Sequence, residues 1–78
     1  MAKFTAKQGQ YLAFIYYYTK VNGRPPAETD MVRYFKCSPP TAHSMVVRLE
    51  KAELIRREPG RGRSIEVLLP PAEIPALD

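Results

Sequence analysis

The stretch S-P-P-T-A-H-S-M-V-V-R-L-E-K-A-E-L-I, residues 38 to 55, decides how the rest of the chain is organised. Ser38 stands before two prolines, and proline is favoured at the first position of a helix because its missing amide would have no partner there. The apolar residues that follow recur at helical spacing and are Ala42, Met45, Val46 and Leu49. The spacing predicts a helix that begins near Pro39 or Pro40 and buries one face.

The other faces of this predicted helix carry Thr41, His43, Ser44, Val47, Arg48 and Lys51. The exposed side is short and polar near the N-terminus and becomes positive further along. Hydroxyl and imidazole groups at the leading end of a helix can approach base edges while nearby cations hold phosphates. Taken alone, an ordinary solvated amphipathic helix explains the segment better, so its neighbours must decide between the two interpretations.

Length and charge limit what the chain can do. Its 78 residues suffice for one small domain, and a catalytic cleft with a lid would be hard to build at this size. The net charge of +4 and the pI near 9.5 make the surface attractive to polyanions. Residues 48 to 63 contribute most of that excess, which indicates a local positive field.

The chain has one cysteine, Cys37, and one histidine, His43. It therefore cannot form an internal disulfide or a zinc site of several Cys and His ligands, and we expect no cofactor. Cys37 is predicted to fill the turn before the Pro-capped helix as a small apolar group. The sequence shows no secretory leader and no apolar run of membrane-spanning length, so we expect a cytoplasmic, nucleoid-associated protein without membrane contact.

Two further helices are predicted upstream. Thr5-Ala6-Lys7-Gln8 is a capping-box pattern that starts the first, and Asn22-Gly23 ends it in a left-handed cap. Its core stripe comprises Tyr11, Leu12, Ile15, Tyr18 and Thr19, with Phe14 on the flank, whereas Tyr16 and Tyr17 fall largely outside. A Pro-Pro break at 25–26 separates it from a short helix over residues 27–36 with a core stripe of Met31, Val32 and Phe35.

After Glu53 the pattern becomes extended. Residues 54–57 and 64–69 are strand-like, and the Pro- and Gly-containing loop between them predicts a hairpin with Ile55, Ile65 and Val67 facing inward. The loop carries Arg61 and Arg63. Residues 70–78 form a Pro-rich tail that docks on the first helix, docks on a second subunit or is disordered.

The order of these elements is that of a winged helix-turn-helix, and the residues resemble one family of that fold, the N-terminal DNA-binding domains of LexA-type repressors. The matching pieces are F-T-A-K-Q, N-G-R-P-P, S-P-P-T-A-H, L-I-R-R-E-P-G and R-S-I-E-V-L. The resemblance implies a mainly α domain over residues 1–69, with three helices, a small β hairpin and a two- or three-stranded antiparallel sheet. It also implies double-stranded DNA as partner and a homodimer on a symmetric site.

Carried over by position, the resemblance assigns Ser38, Pro40, Thr41, His43 and Ser44 to contacts with bases and nearby phosphates in the major groove. It assigns Arg61 and Arg63 to the wing, on the DNA backbone or in the minor groove. Arg48 and Arg56 add positive charge to the same surface. LexA proteins continue into a self-cleaving protease domain, whereas this chain stops at Asp78, so we expect a stand-alone module.

Two departures from the family pattern have structural consequences. Glu53 replaces a glycine common between the third helix and the wing, which predicts a helix end without the usual left-handed cap. Tyr16 and Tyr17 stand where charged residues are common, which suggests a face used by a partner.

Three functions are compatible with the sequence. A sequence-specific DNA-binding transcriptional regulator is favoured. The alternative is a winged-helix protein-interaction module that uses Tyr16, Tyr17 and the Pro-rich tail, and the two differ in how binding responds to salt. An enzyme is not expected, because His43 has no metal partner and Ser44 has no nucleophile-elbow glycines, and no small-molecule ligand is evident.

Overall fold

The computed structural model of the chain describes residues 3–78 and contains three helices and one two-stranded sheet within that range. Helix α1 spans Ala6–Asn22, α2 spans Glu28–Phe35 and α3 spans Pro39–Lys51. Strands β1 (Ile55–Arg56) and β2 (Glu66–Val67) pair antiparallel, with Ile55 opposite Val67. A single turn of 3-10 helix, Pro71–Glu73, follows. This order confirms the predicted winged helix-turn-helix.

Both predicted ends of α1 are confirmed. The Gln8 amide donates to the Thr5 hydroxyl at 3.1 Å and the Thr5 amide donates to Gln8 Oε1 at 2.9 Å, which completes the capping box. At the other end Gly23 takes a left-handed conformation with φ 76°, and its amide donates to the Thr19 carbonyl. The helix thus has satisfied groups at both termini.

The core is built around α1, and burial of this helix extends beyond the single apolar face that the sequence predicted. Five consecutive residues, 11 to 15, are buried, because α2, the wing and the C-terminal segment all pack against this helix. Tyr11 stacks on Phe35 with ring centroids 4.0 Å apart. The pKa of Tyr11 is raised to about 12, mainly by burial of its hydroxyl and to a smaller extent by the contact at 3.5 Å with the Cys37 sulfur. Cys37 is partly buried and packs on the core, as predicted.

The predicted loss of the left-handed cap after α3 is wrong. Glu53 itself adopts the left-handed conformation with φ 60°. Its amide donates to the Glu50 carbonyl and the Leu54 amide donates to the Leu49 carbonyl, both at 3.0 Å. This is the Schellman pattern of helix ends, in which the apolar pair Leu54 and Leu49 is buried. The burial of Leu54 holds the turn in place although the residue at its centre has a side chain.

The wing has shorter strands than the sequence suggested, with two residues on each side. The Leu68 amide extends the pairing by donating to the Leu54 carbonyl at 2.9 Å. Ile55 and Ile65 are buried and Val67 packs partly against the core, which confirms the predicted inward face. The short ladder depends on these apolar contacts, since a hairpin of this size is marginal by itself.

The Pro-rich tail docks on α1, one of the three states that the sequence left open. Gln10 Nε2 donates to the Ala76 carbonyl at 2.9 Å, and the Asp78 amide donates back to Gln10 Oε1 at 2.8 Å. A Cβ on Gly9 would lie 3.0 Å from Pro75 Cγ and 2.9 Å from Phe4 Cε1. The tail approaches α1 this closely because position 9 has no side chain. Among residues 3–78, no helix has the length and apolar character needed to cross a bilayer.

Candidate nucleic-acid interface

The face of α3 that the sequence singled out is exposed. Ala42, Val46 and Leu49 are fully buried beneath the helix, which turns the opposite side outward. We call that side the reading face; it comprises Thr41, His43, Ser44 and Arg48, all exposed. Pro40, Thr41, Ser44, Met45 and Arg48 line a shallow, open depression of about 380 Å³. A helix with its apolar stripe buried and this face uncovered can enter a groove.

Ser38 and Thr41 also close the start of α3. The Thr41 amide donates to Ser38 Oγ at 3.3 Å, and the two hydroxyls share a hydrogen bond at 2.8 Å. Ser38 is therefore the N-cap of the helix, and Pro39 and Pro40 occupy its first positions. Both hydroxyls remain exposed, so capping and contact with a polyanion are compatible.

His43 joins a group of polar and charged side chains from α2, α3 and the segment after β1. We call this group the Glu28 cluster: Glu28, His43, Glu50 and Arg57. His43 Nδ1 lies 3.0 Å from Oε2 and 3.1 Å from Oε1 of Glu28. Arg57 donates from Nε to Glu50 Oε1 at 3.2 Å and from Nη1 to Glu28 Oε2 at 3.4 Å. The cluster connects the start of α2, the exposed side of α3 and the residue that follows β1.

The cluster also brings the wing loop close to α3. The loop residues 58–64 line one open depression of about 590 Å³ together with Glu28, Glu50 and Arg57. The hairpin loop is thus beside the C-terminal half of α3 and the start of α2, where the DNA-binding prediction requires it to be.

Arg56 and Arg61 lie on the surface. Arg56 pairs with Glu66 at 3.1 Å and Arg61 pairs with Glu58 at 3.2 Å, and both arginine side chains are 70% exposed. Exposed ion pairs of this kind contribute little stability. Either guanidinium can therefore exchange its carboxylate for a phosphate at small cost.

Arg63 differs from Arg61, although the sequence grouped the two. Its Nη1 donates to Asp30 Oδ2 at 3.0 Å, to the Tyr18 hydroxyl at 3.2 Å and to the Pro25 carbonyl at 3.4 Å. The side chain is turned toward α1 and α2 and anchors the root of the wing. The geometry gives no support to a DNA contact by Arg63.

Asp30 is the carboxylate that receives this anchor. The Ala27 amide, which donates to Asp30 Oδ2 at 2.8 Å, and the Arg63 guanidinium lower the pKa of Asp30 below its usual value. In the sequence Asp30 is one acidic residue in the first turn of α2, a position favoured by the helix dipole. No local pattern could have revealed its pairing, because Arg63 lies 33 positions further along the chain.

Glu28 and Arg57 are the other residues that the sequence did not identify. By its place in the sequence, Glu28 is an acidic residue in the first turn of α2. Its contacts with His43 and Arg57 span 15 and 29 positions. Only the packing of α2 against α3 and the wing brings these groups together.

The chain is similar to known repressor proteins. The model of one protein family, described as the iron dependent repressor N-terminal DNA binding domain, matches residues 3–63. A LexA repressor of Thermosipho melanesiensis is 41% identical over 68 residues, which cover 87% of this chain and 34% of that protein. A LexA repressor of Thermosipho africanus is 36% identical over 74 residues, covering 95% and 37%. One of Thermotoga neapolitana is 37% identical over 67 residues, covering 86% and 34%.

The chain spans about a third of the length of these LexA relatives. The family model is named for an iron dependent repressor, whereas the similar proteins are named LexA repressors. Both names describe repressors.

The family description mentions iron, and the described residues do not suit an iron site. Residues 3–78 bring together no group of three or more His, Cys, Asp or Glu side chains that could hold a metal ion. His43, the one histidine, has its Nδ1 engaged with Glu28, whose carboxylate also accepts from Arg57.

Proposed function

The chain belongs to the family of iron dependent repressor N-terminal DNA binding domains, and from this premise we propose that it is the DNA-binding module of a LexA-like transcriptional regulator. It recognises a specific sequence in double-stranded DNA. The observation that carries the proposal is the uncovered reading face of α3 with the cationic wing loop beside it.

The proposed division of labour follows from exposure and chemistry. Thr41, His43 and Ser44 lie near the leading end of α3 and offer short hydrogen-bonding groups to base edges in the major groove. Arg48 stands on the same face further along the helix, where a cation holds a phosphate. Ser38 and Pro40 mark the helix start and approach the backbone there.

The wing supplies charge without sequence readout. Arg56 and Arg61 reach the DNA backbone or the minor groove from exposed positions on the hairpin. Arg63 keeps the root of that hairpin against α1 and α2. Its contribution to DNA binding is therefore indirect.

We further propose that two copies bind a two-fold symmetric site. A single short reading helix covers few base pairs, and a second copy supplies the affinity that a specific site requires. Tyr17 and Val21, 39% and 81% exposed on α1, are available to a partner surface. Half-site symmetry in selected DNA, together with the mass of the complex in solution, measures this directly.

The function is tested by selecting bound fragments from a random pool of double-stranded DNA and measuring their affinity against scrambled competitors. We expect one enriched motif and a preference of at least about a thousandfold over scrambled DNA. Enrichment of no motif would refute sequence-specific recognition. Binding to a protein partner with affinity independent of salt would favour the interaction-module alternative instead.

A further inference from the structure

Glu28 lies outside the reading face, yet it holds the imidazole of His43, which belongs to that face. The two oxygens of Glu28 lie 3.0 and 3.1 Å from Nδ1 of His43. An ionised carboxylate can only accept hydrogen bonds, so Nδ1 carries the proton in this arrangement. The ring orientation and the position of its proton are thus fixed by a residue of another helix.

The other ring nitrogen, Nε2, is left available. Within residues 3–78 it makes no hydrogen bond, and the His43 side chain is 57% exposed. When the ring is neutral and Nδ1 carries the proton, Nε2 can only accept a hydrogen bond. The major-groove donors that it can meet are the amino groups of adenine and cytosine.

Glu28 is itself held in place. Arg57 donates to the same oxygen, Oε2, that faces His43, and it also binds Glu50 of α3. The Arg57 side chain is only 27% exposed, which restricts its movement. Its positive charge also offsets the repulsion that a carboxylate beside DNA phosphates would otherwise cause.

We propose that Glu28 is a positioning residue for DNA recognition: it fixes His43 in the Nδ1-protonated form, so that Nε2 accepts a hydrogen bond from an adenine or cytosine amino group in the major groove. This inference rests on the proposed function. It assigns specificity to a side chain of α2 that itself touches no base.

The first test needs no DNA. His43 is the only histidine, so the nitrogen NMR signals of a labelled imidazole report its protonation without ambiguity. At a pH where the ring is neutral, we expect the Nδ1-protonated form to dominate. Glu28→Ala should give a mixture of both forms, whereas Glu28→Gln, which retains an acceptor oxygen, should preserve the original one. A dominant Nε2-protonated form in the unaltered protein would overturn the proposal.

The second test uses the selected DNA site with each base pair substituted in turn. His43→Ala identifies the base pair whose discrimination depends on the imidazole. We expect Glu28→Ala to reduce discrimination at that same base pair by about fivefold to tenfold. The double variant with His43→Ala should lose no more discrimination than His43→Ala alone, and Glu28→Gln should retain the discrimination of the unaltered protein. Glu73→Ala is the matched control, because it removes an exposed glutamate that pairs with Lys3 and has no contact with His43, Glu28 or Arg57.

The outcomes are separable. If the unaltered protein selects a sequence but Glu28→Ala weakens all sequences equally, or leaves the His43-dependent base pair unaffected, the positioning role is wrong and the proposed function stands. If the unaltered protein selects no sequence, both are wrong. Thermal unfolding of each variant shows that the altered discrimination belongs to folded protein.

Discussion

Individual residues carry backbone strain that the fold tolerates. Lys36, Glu53 and Arg63 all have positive φ angles, between 53° and 60°, a conformation that costs a residue with a side chain about 1–2 kcal/mol. Glu53 is the instructive case, because its two neighbours in the Schellman turn, Leu49 and Leu54, are buried and fix the path of the chain. The burial of this pair keeps the turn in place despite the strain at Glu53.

Glu53→Gly is expected to stabilise the domain by about 0.5–1 kcal/mol, because glycine adopts this conformation without strain but loses more backbone entropy on folding. Urea unfolding measures the change. Glu53→Ala is the matched control: it removes the carboxylate but keeps the strained Cβ, and it should give no comparable gain. Equal stabilisation by both substitutions would show that charge, and not backbone conformation, limits stability at this position.

The two arginines of the wing loop should behave differently. Arg63→Ala removes three hydrogen bonds between the loop and the α1–α2 surface, so we expect a lower thermal midpoint. Arg61→Ala removes one exposed ion pair and should leave the midpoint nearly unchanged. The reverse order in thermal unfolding would contradict the anchoring role of Arg63.

Asp30 gives the domain a defined response to acid. Folding lowers the pKa of Asp30 below its usual value of 3.8. The stability that the ionised Asp30 contributes is therefore complete well above pH 3.8 and is lost as the pH falls through the lowered pKa. Asp30→Asn should therefore destabilise the domain at neutral pH, and the difference from the unaltered protein should shrink at about pH 3. Urea unfolding at both pH values measures it; a difference that does not change with pH would contradict the pairing.

At the scale of elements, α3 and the wing have separate tasks in the proposed function. Ser44→Ala should alter sequence preference at one base pair by about 1–3 kcal/mol, because it removes a candidate base contact from the reading face. Ser44 is a cleaner probe than Thr41, whose hydroxyl also bonds the N-cap Ser38. Competition binding against DNA with single base substitutions measures the change.

Arg61→Ala provides the contrast, since it should weaken binding to all sequences alike. Identical profiles for the Ser44 and Arg61 variants would mean that α3 is not the element that distinguishes sequences.

At the scale of the whole molecule, the net charge of +4 should make DNA binding strongly dependent on salt. The logarithm of the binding constant is expected to fall linearly with the logarithm of salt concentration, with a slope of about −0.9 per phosphate neutralised. Replacing Arg48 or Arg61 by alanine should each make that slope shallower by about 1. Glu53→Ala removes no cation that could contact a phosphate and should leave the slope unchanged. A binding constant that does not vary with salt in the unaltered protein would argue against DNA as the ligand.

The helix caps and the buried faces of the helices could be predicted from the sequence. The capping box at Thr5, the glycine cap at Gly23 and the Pro-capped start of α3 each depend on residues a few positions apart. The apolar stripes fixed which sides of α2 and α3 are buried, and therefore which side of α3 is exposed. These are properties of short segments, so spacing alone was sufficient to predict them.

The tertiary structure decided the pairing of distant groups. It turned Arg63 inward to Asp30, placed Glu28 against His43, docked the tail on α1 beside Gly9, and held Glu53 in a conformation that its residue type disfavours. Each outcome depends on how helices and hairpin pack together, and the energy of that packing is shared among residues far apart in the chain. The sequence showed that an arginine is present at positions 61 and 63. Only the packed fold determined that Arg61 lies at the surface and that Arg63 turns to the Asp30 carboxylate.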